Sequence, residues 1–223
     1  MKIVFLGDSL TWGGYGGSFF HELAHKLPDD DLVNMGTGGH TVLNLLHKLD
    51  KVLAQEPDGV FVMVGGNDAI SHVQPGTRPY YEQVKHVPEG IVTPEMFQAA
   101  YRDLLSQLQL AHVQTWVGLP PIEHNPAVVA ALRQYNALAM EAARTFNIPV
   151  LDLMTHFLPT TVPERPPLDM KSINLIGKRT QTGWNDYDTD RTAGGYTFTF
   201  DGLHFTPEAA SKAADLIAAF ITG

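Results

Sequence analysis

Cysteine is absent from this chain of 223 residues. Its absence excludes disulfide bridges, cysteine-ligated zinc and catalysis by a thiol, but does not by itself assign a cellular compartment. A chain of this length buries a substantial core without such cross-links. We therefore expect one domain over residues 1–223.

Positive charge is scarce. The chain has 15 Lys and Arg against 24 Asp and Glu, which gives a formal net charge of -9. Nucleic acids and anionic lipids carry negative phosphates, so an acidic surface argues against both as main partners. We expect a small-molecule partner and no nucleic acid.

Long hydrophobic runs are also missing. No stretch approaches the roughly 20 apolar residues that span a bilayer, so we expect no membrane insertion. The apolar run at residues 3–6 ends before Asp8 and is too short for the hydrophobic region of a signal peptide. We expect a cytoplasmic protein, although a chain with its signal already removed would look the same. The sequence does not indicate the oligomeric state.

Short apolar runs alternate with amphipathic stretches along the chain. The runs predict strands near residues 3–6, 31–35, 60–64, 113–119 and 148–153, and the stretches between them predict helices. This alternation indicates an α/β fold with a parallel sheet covered on both faces. Two segments, at about 69–92 and 158–200, do not show this alternation, and we interpret both as long functional loops.

Polar residues follow three of the predicted strands and recur near the C-terminus. The peptides are GDSL at residues 7–10, GTGG at 36–39, GGND at 65–68 and DGLH at 201–204. Ester cleavage needs a nucleophile, a base, a group that orients the base, and donors for the oxyanion. A serine, a histidine, an aspartate three residues before it, a glycine N–H and an asparagine amide provide these types of group.

The four peptides, in this order, resemble the sequence blocks of the SGNH hydrolases, also called GDSL esterases and lipases. The resemblance implies a three-layer α/β/α fold with a flavodoxin-like sheet of five parallel strands. It also implies that Ser9 is the nucleophile, Asp201 the acid and His204 the base. The implied oxyanion hole consists of the N–H groups of Ser9 and Gly39 and the amide of Asn67.

The chain departs from the family pattern at His40, where the family often has an acidic residue after the second block. This raises a question about the charge beside the oxyanion hole. Asp8 and Asp68 belong to the blocks, but we expect them to be structural and to hold loops by accepting backbone N–H groups.

The peptide HELAH at residues 21–25 supports a competing reading. It matches the zinc-protease motif, in which His21 and His25 bind the metal and Glu22 is the base. The extended motif requires glycine and histidine at positions that are Pro28 and Asp31 here. A third protein ligand is therefore missing from the pattern, and we expect no metal and no cofactor.

The natural substrate is open at this stage. The string GDSLTWG at residues 7–13 is similar to arylesterase and acyltransferase members of the family, which favours short acyl or O-acetyl esters; a lysophospholipase or thioesterase is the alternative. We predict that Trp12 and Trp184 bind substrate; the alternative for Trp12 is an ordinary core residue. We also predict that residues 158–200 cover the site and set specificity, with Arg165, Lys178, Arg179 and Arg191 available to a polar or anionic leaving group. The alternative for this segment is that its aromatic residues close the open edge of the core or form a subunit contact.

Overall fold

The computed structural model describes residues 1–159 and 161–223. Its centre is a sheet of five parallel strands in the order β2-β1-β3-β4-β5. The strands are β1 (Lys2–Gly7), β2 (Asp31–Asn34), β3 (Gly59–Met63), β4 (Gln114–Leu119) and β5 (Val150–Asp152). This is the flavodoxin-like order, so the predicted fold class is confirmed.

Helices connect the strands and cover the sheet. They are α1 (Ser9–Trp12), α2 (Phe19–Lys26), α3 (Val42–Leu53), α4 (Gly66–Val73), α5 (Arg78–Lys85), α6 (Pro94–Leu110), α7 (Pro126–Thr145), α8 (Leu153–His156), α9 (Met170–Thr182), α10 (Tyr187–Gly194) and α11 (Pro207–Thr222). Within the described residues, no helix is long and apolar enough to cross a membrane.

Side chains of β1 alternate between two hydrophobic clusters, because successive residues of a strand face opposite sides. Ile3 and Phe5 pack with α2 and α11, whereas Val4 and Leu6 pack with α3, α6 and α7. All five residues of β3 are buried. Each face of the sheet therefore has its own helical layer, which makes the three-layer arrangement.

The strand order reverses between β1 and β3, which are neighbours although β2 lies between them in the chain. Crevices at such switch points, outside the carboxyl ends of the strands, are the usual ligand sites of open α/β sheets. Ser9 directly follows β1, and Asn67 follows β3. The topology therefore places these two side chains on either side of the crevice.

Both segments that we predicted as loops contain helices. Residues 69–92 include most of α4 and all of α5, and residues 158–200 include α9 and α10. Asp169 caps α9 by accepting the N–H groups of Lys171 and Ser172. Thr160, which falls in the second segment, lies outside the described residues.

The alternation of aromatic and threonine residues at 196–200 predicts a short strand, but the structure has none there. Only an isolated bridge forms there, between Thr199 and Phe205. The N–H groups of residues 197–199 donate instead to the carboxylate of Glu123. The Glu123 carboxylate thus accepts the hydrogen bonds that a neighbouring strand would otherwise accept.

Candidate active site

Ser9 is presented by a sharp turn between β1 and α1. Asp8 caps this short helix, with its Oδ1 accepting the N–H of Leu10 at 3.0 Å. Asp8 therefore accepts a backbone N–H, which is the contact that its expected structural role requires. The turn leaves the Ser9 side chain at the carboxyl edge of the sheet, partly exposed to a cavity.

The structure brings Ser9, His204 and Asp201 together, although Ser9 and His204 are 195 residues apart. The Oγ of Ser9 lies 3.0 Å from His204 Nε2, and His204 Nδ1 lies 2.8 Å from Asp201 Oδ2. A carboxylate only accepts, so Nδ1–H donates to Asp201 and Nε2 is left to accept the serine hydroxyl. This is the tautomer that a general base requires.

Asp201 stabilises the turn that carries both Asp201 and His204. Asp201 Oδ1 accepts the N–H groups of Leu203 and His204, at 2.9 and 2.8 Å. One oxygen of the carboxylate thus fixes the backbone, while the other fixes the imidazole.

The pKa values of the pair move in the directions that ion pairing produces. Burial lowers the pKa of His204, but the charge and hydrogen bond of Asp201 outweigh it and hold this pKa above its usual value. Burial likewise raises the pKa of Asp201, but the charge of His204 and the donated hydrogen bonds outweigh it and lower this pKa. The site therefore stabilises an imidazolium beside a carboxylate.

Aromatic rings enclose the His204 imidazole. Tyr15 meets it edge-on with centroids 5.0 Å apart, and Phe200 stacks on it at 6.2 Å. Trp184 lies behind these two rings, against Tyr15 and Phe200, with the guanidinium of Arg179 over its face at 3.7 Å. Trp184 does not line the cavity, so the structure offers no contact for its predicted role in binding substrate.

Unused backbone donors lie next to Ser9. Within residues 1–159 and 161–223, neither the Ser9 N–H nor the Gly39 N–H donates to another residue, and both residues line the cavity. Gly39 has φ +75°, a conformation that side chains disfavour, and a methyl group there would approach Lys85 Cε to 2.6 Å. Glycine is therefore required at this position.

Asn67 is held in one orientation by two neighbours. Its Oδ1 accepts the hydroxyl of buried Tyr81 at 2.9 Å, and its Nδ2 donates to Asp8 Oδ2 at 3.3 Å. An amide nitrogen has two hydrogens, so the second remains available to a ligand. Tyr81 and Asp8 thus orient the Asn67 amide nitrogen, and Asn67 itself lines the same cavity as Ser9.

Asp68, in the third block, and His40, which follows the second block, have altered pKa values. Burial raises the pKa of Asp68 to about 8, and Asp68 accepts the N–H of Val42 at the start of α3. Burial, together with the charges of Lys85 and Lys48, lowers the pKa of His40 to about 4. His40 is therefore neutral at pH 7 and brings no charge to the neighbourhood of Gly39.

A cavity of about 850 Å³ opens in front of Ser9. Trp12 lines it and is 39% exposed, as its predicted role requires. Helix α9 forms one wall through Met170, Ile173 and Ile176. The opposite wall includes α5, which contributes Tyr80, Tyr81, Val84 and Lys85.

Apart from Lys178, the cavity residues on α5 and α9 were missed by the sequence analysis. A signal for α9 was present, because Met170, Ile173 and Ile176 recur at three-residue spacing after the capping Asp169. A weaker signal for α5 was the proline near its start, Pro79.

Of the four basic residues predicted to contact a leaving group, only Lys178 lines the cavity. Arg165 binds backbone carbonyls, Arg179 pairs with Asp190, and Arg191 pairs with Asp188.

The HELAH peptide forms most of α2, away from the cavity. His21 and His25 are exposed, and neither they nor Glu22 line the cavity. Across the part of the chain that the structure describes, no three His, Asp or Glu side chains come together as metal ligands would.

Glu123, in the connection from β4 to α7, is a buried carboxylate that sequence reasoning did not identify. Its Oε1 accepts the N–H groups of Phe198 and Thr199 at 2.9 and 2.7 Å, and the Thr199 hydroxyl at 2.6 Å. That hydroxyl in turn accepts the N–H of Gly202 at 3.0 Å. Glu123 therefore fixes the backbone that leads into the Asp201–His204 turn.

We expect Glu123→Gln to lower the free energy of unfolding by about 2–3 kcal/mol, because buried donors lose a charged acceptor. In protein that remains folded, we expect kcat to fall about tenfold with little change in KM, because His204 is displaced. Denaturant unfolding and steady-state kinetics measure the two effects. Glu141→Gln, on the exposed face of α7, is the control; an equal response in both variants would contradict the positioning role.

A parallel sheet covered by helices, with a serine, a histidine and an aspartate in hydrogen-bonding contact at its edge, is typical of a hydrolase. The hydrogen-bonded series of serine, histidine and aspartate is the arrangement by which several unrelated folds activate a serine toward acyl groups. Here it sits at the crevice of the sheet and not on the nucleophile elbow of other α/β enzymes.

The model of the GDSL-like lipase/acylhydrolase family matches residues 5–211. The chain therefore belongs to this family and is a hydrolase of ester bonds, and the resemblance inferred from the four sequence blocks is confirmed. No curated protein matches the chain significantly.

Solved structures share the fold at low sequence identity. An acetyl xylan esterase is 18% identical, with a TM-score of 0.66 and 98% of each chain covered. A lipase/acylhydrolase from Enterococcus faecalis is 20% identical, with a TM-score of 0.67 over 100% of this chain and 95% of the other. A variant of an acetyl xylan esterase from Geobacillus stearothermophilus is 18% identical, with a TM-score of 0.68 over 99% and 94%.

Proposed function

We propose that the protein hydrolyses short-chain carboxylic esters, O-acetyl esters among them, through an acyl-enzyme on Ser9. The observation that carries the proposal is the unbroken hydrogen-bond series from Ser9 Oγ through His204 to Asp201, with distances of 3.0 and 2.8 Å. In this mechanism, His204 takes the proton as Ser9 attacks the carbonyl carbon, and Asp201 stabilises the imidazolium that forms.

The oxyanion is held by the N–H groups of Ser9 and Gly39 and by the free amide hydrogen of Asn67. His204 then gives its proton to the leaving alcohol. Water repeats the sequence in the second step, attacking the acyl-enzyme while His204 again acts as base. No metal or cofactor enters this mechanism.

Two observations support a short acyl group: the GDSLTWG string with Trp12 at the cavity, and acetyl xylan esterases among the proteins with this fold. Helix α9 lies directly over the site, and we propose that it sets specificity. Its apolar residues Met170, Ile173 and Ile176 face the space that an ester must enter.

The size of the cavity favours a second candidate, a lysophospholipase or thioesterase. A volume of about 850 Å³ with mainly apolar lining accommodates far more than an acetyl group. Long acyl chains would lie between α5 and α9 in this case. The two candidates share the Ser9 chemistry and differ in chain length.

The test is a series of p-nitrophenyl esters from acetate to dodecanoate, run beside a panel of acetylated xylo-oligosaccharides. We expect kcat/KM to be highest for acetate and to fall by about tenfold or more by octanoate, in a buffer with or without EDTA. A maximum at long chains would replace the proposed function with the second candidate. Activity lost with EDTA and restored by zinc would revive the HELAH reading.

A further inference from the structure

The charge of the cavity is opposite to that of the chain. The net charge is -9, yet the cavity lining carries the cations Lys85 and Lys178 besides His204, and a single carboxylate, Asp8. Asp8 is buried, and its two oxygens accept from Leu10 and Asn67. The fixed charges that face an entering ligand are therefore positive.

Lys85 lies beside Gly39, one of the proposed oxyanion donors. It ends α5, and its side chain crosses Gly39 so closely that a methyl group on Gly39 would come within 2.6 Å of Lys85 Cε. The ammonium is one bond further on, 5.3 Å from the centre of the Tyr80 ring. Lys85 thus places a positive charge next to one of the proposed oxyanion donors.

Lys85 forms no ion pair with a carboxylate of the residues that the structure describes. Among the described residues, no carboxylate oxygen lies within 4.0 Å of Lys85 Nζ, and this nitrogen donates no hydrogen bond. Lys48 nearby, in contrast, donates to Met35 O and Thr37 Oγ1. Burial lowers the pKa of Lys85, because the ammonium has lost part of its water.

A half-buried ammonium without an anionic partner is costly, and an anion beside it removes much of that cost. We propose that the cavity selects esters that carry a carboxylate close to the scissile bond, and that Lys85 is the specificity-determining residue that binds it. This inference rests on the proposed ester hydrolysis and narrows its substrate class. The carboxylate belongs to either the acyl half or the alcohol half of the ester.

Two matched pairs of substrates separate these halves. 4-Acetoxybenzoate against its methyl ester places the charge on the alcohol side, and the mono-p-nitrophenyl ester of glutaric acid against its methyl ester places it on the acyl side. We expect kcat/KM to favour the anionic member of at least one pair by about tenfold. Lys85→Met should reduce this ratio to about one, and Lys85→Arg should retain it.

The ratio within each variant cancels any general loss of activity or folded protein. Lys51→Met, on the exposed face of α3, removes the same charge outside the cavity and should leave the ratio as in the wild type. A ratio near one in the wild type, or a ratio that survives Lys85→Met, would overturn the inference. Neutral esters hydrolysed through Ser9 would then still support the proposed function.

Binding gives a second measurement that does not depend on turnover. The same pairs are titrated calorimetrically into the Ser9→Ala protein, with and without Lys85→Met. Tighter binding of the anionic member that requires Lys85 supports the inference, even if none of these esters is cleaved. Equal affinities for the charged and methylated members refute it.

Discussion

Ser9→Ala should reduce kcat by at least about 10⁴-fold, because the remaining groups have no nucleophile to activate. The hydroxyl is the only atom group lost, and it is the one within 3.0 Å of His204 Nε2. Ester hydrolysis under steady-state conditions measures the loss. A fluorophosphonate probe, followed by peptide mapping, should label Ser9 in the wild type.

Ser106→Ala is the matched control, since Ser106 lies on α6, outside the cavity. It should keep full activity and full labelling. Substantial turnover in the Ser9 variant, or a label on another serine, would show that the reaction uses a different nucleophile. Circular dichroism of both variants excludes unfolding as the cause of lost activity.

Asn67→Ala should lower kcat by about a hundredfold or more and leave KM nearly unchanged. Oxyanion donors act mainly in the transition state, and the loss of one costs about 3 kcal/mol. Steady-state kinetics on p-nitrophenyl acetate separates the two constants. An increase confined to KM would mean that Asn67 binds the ground state of the substrate.

The alanine also removes the acceptor of the buried Tyr81 hydroxyl. Tyr81→Phe removes that hydrogen bond from the other side and keeps the Asn67 amide. If Asn67 acts as a donor, Tyr81→Phe should cost much less in kcat than Asn67→Ala. Equal losses in both variants would indicate that the hydrogen bond between them, and not the donor, supports activity.

The sequence was sufficient for the sheet and for the groups at its edge. Each of these groups follows a short apolar run or lies in a compact turn, so its place depends on local pattern and on the rule that strand ends meet at one edge. The DGLH turn illustrates this, because both of its key contacts are made within four residues. Ser9 and Asn67 likewise lie two and four positions after the ends of buried strands.

Residues whose roles depend on distant partners were not identified. Glu123 binds residues more than 70 positions away, and nothing in the peptide around it indicates that contact. Tyr81 and Lys85 required α5, which the sequence analysis treated as loop. Trp184 was assigned to substrate because of its aromatic character, whereas its ring packs against Tyr15 and Phe200 behind His204.

The cavity wall formed by α9 is held by few buried contacts. Neither α9 nor α10 contains a fully buried residue, and the Arg179–Asp190 ion pair couples the two helices. Between these helices, Trp184 packs on Tyr15 and Phe200. Beyond the ends of the stretch, Leu168 donates to Gln74 and the backbone of 197–199 donates to Glu123. Segments with few buried contacts open at a lower free energy than the core of a protein. Amide hydrogens of α9 should therefore exchange long before those of β3.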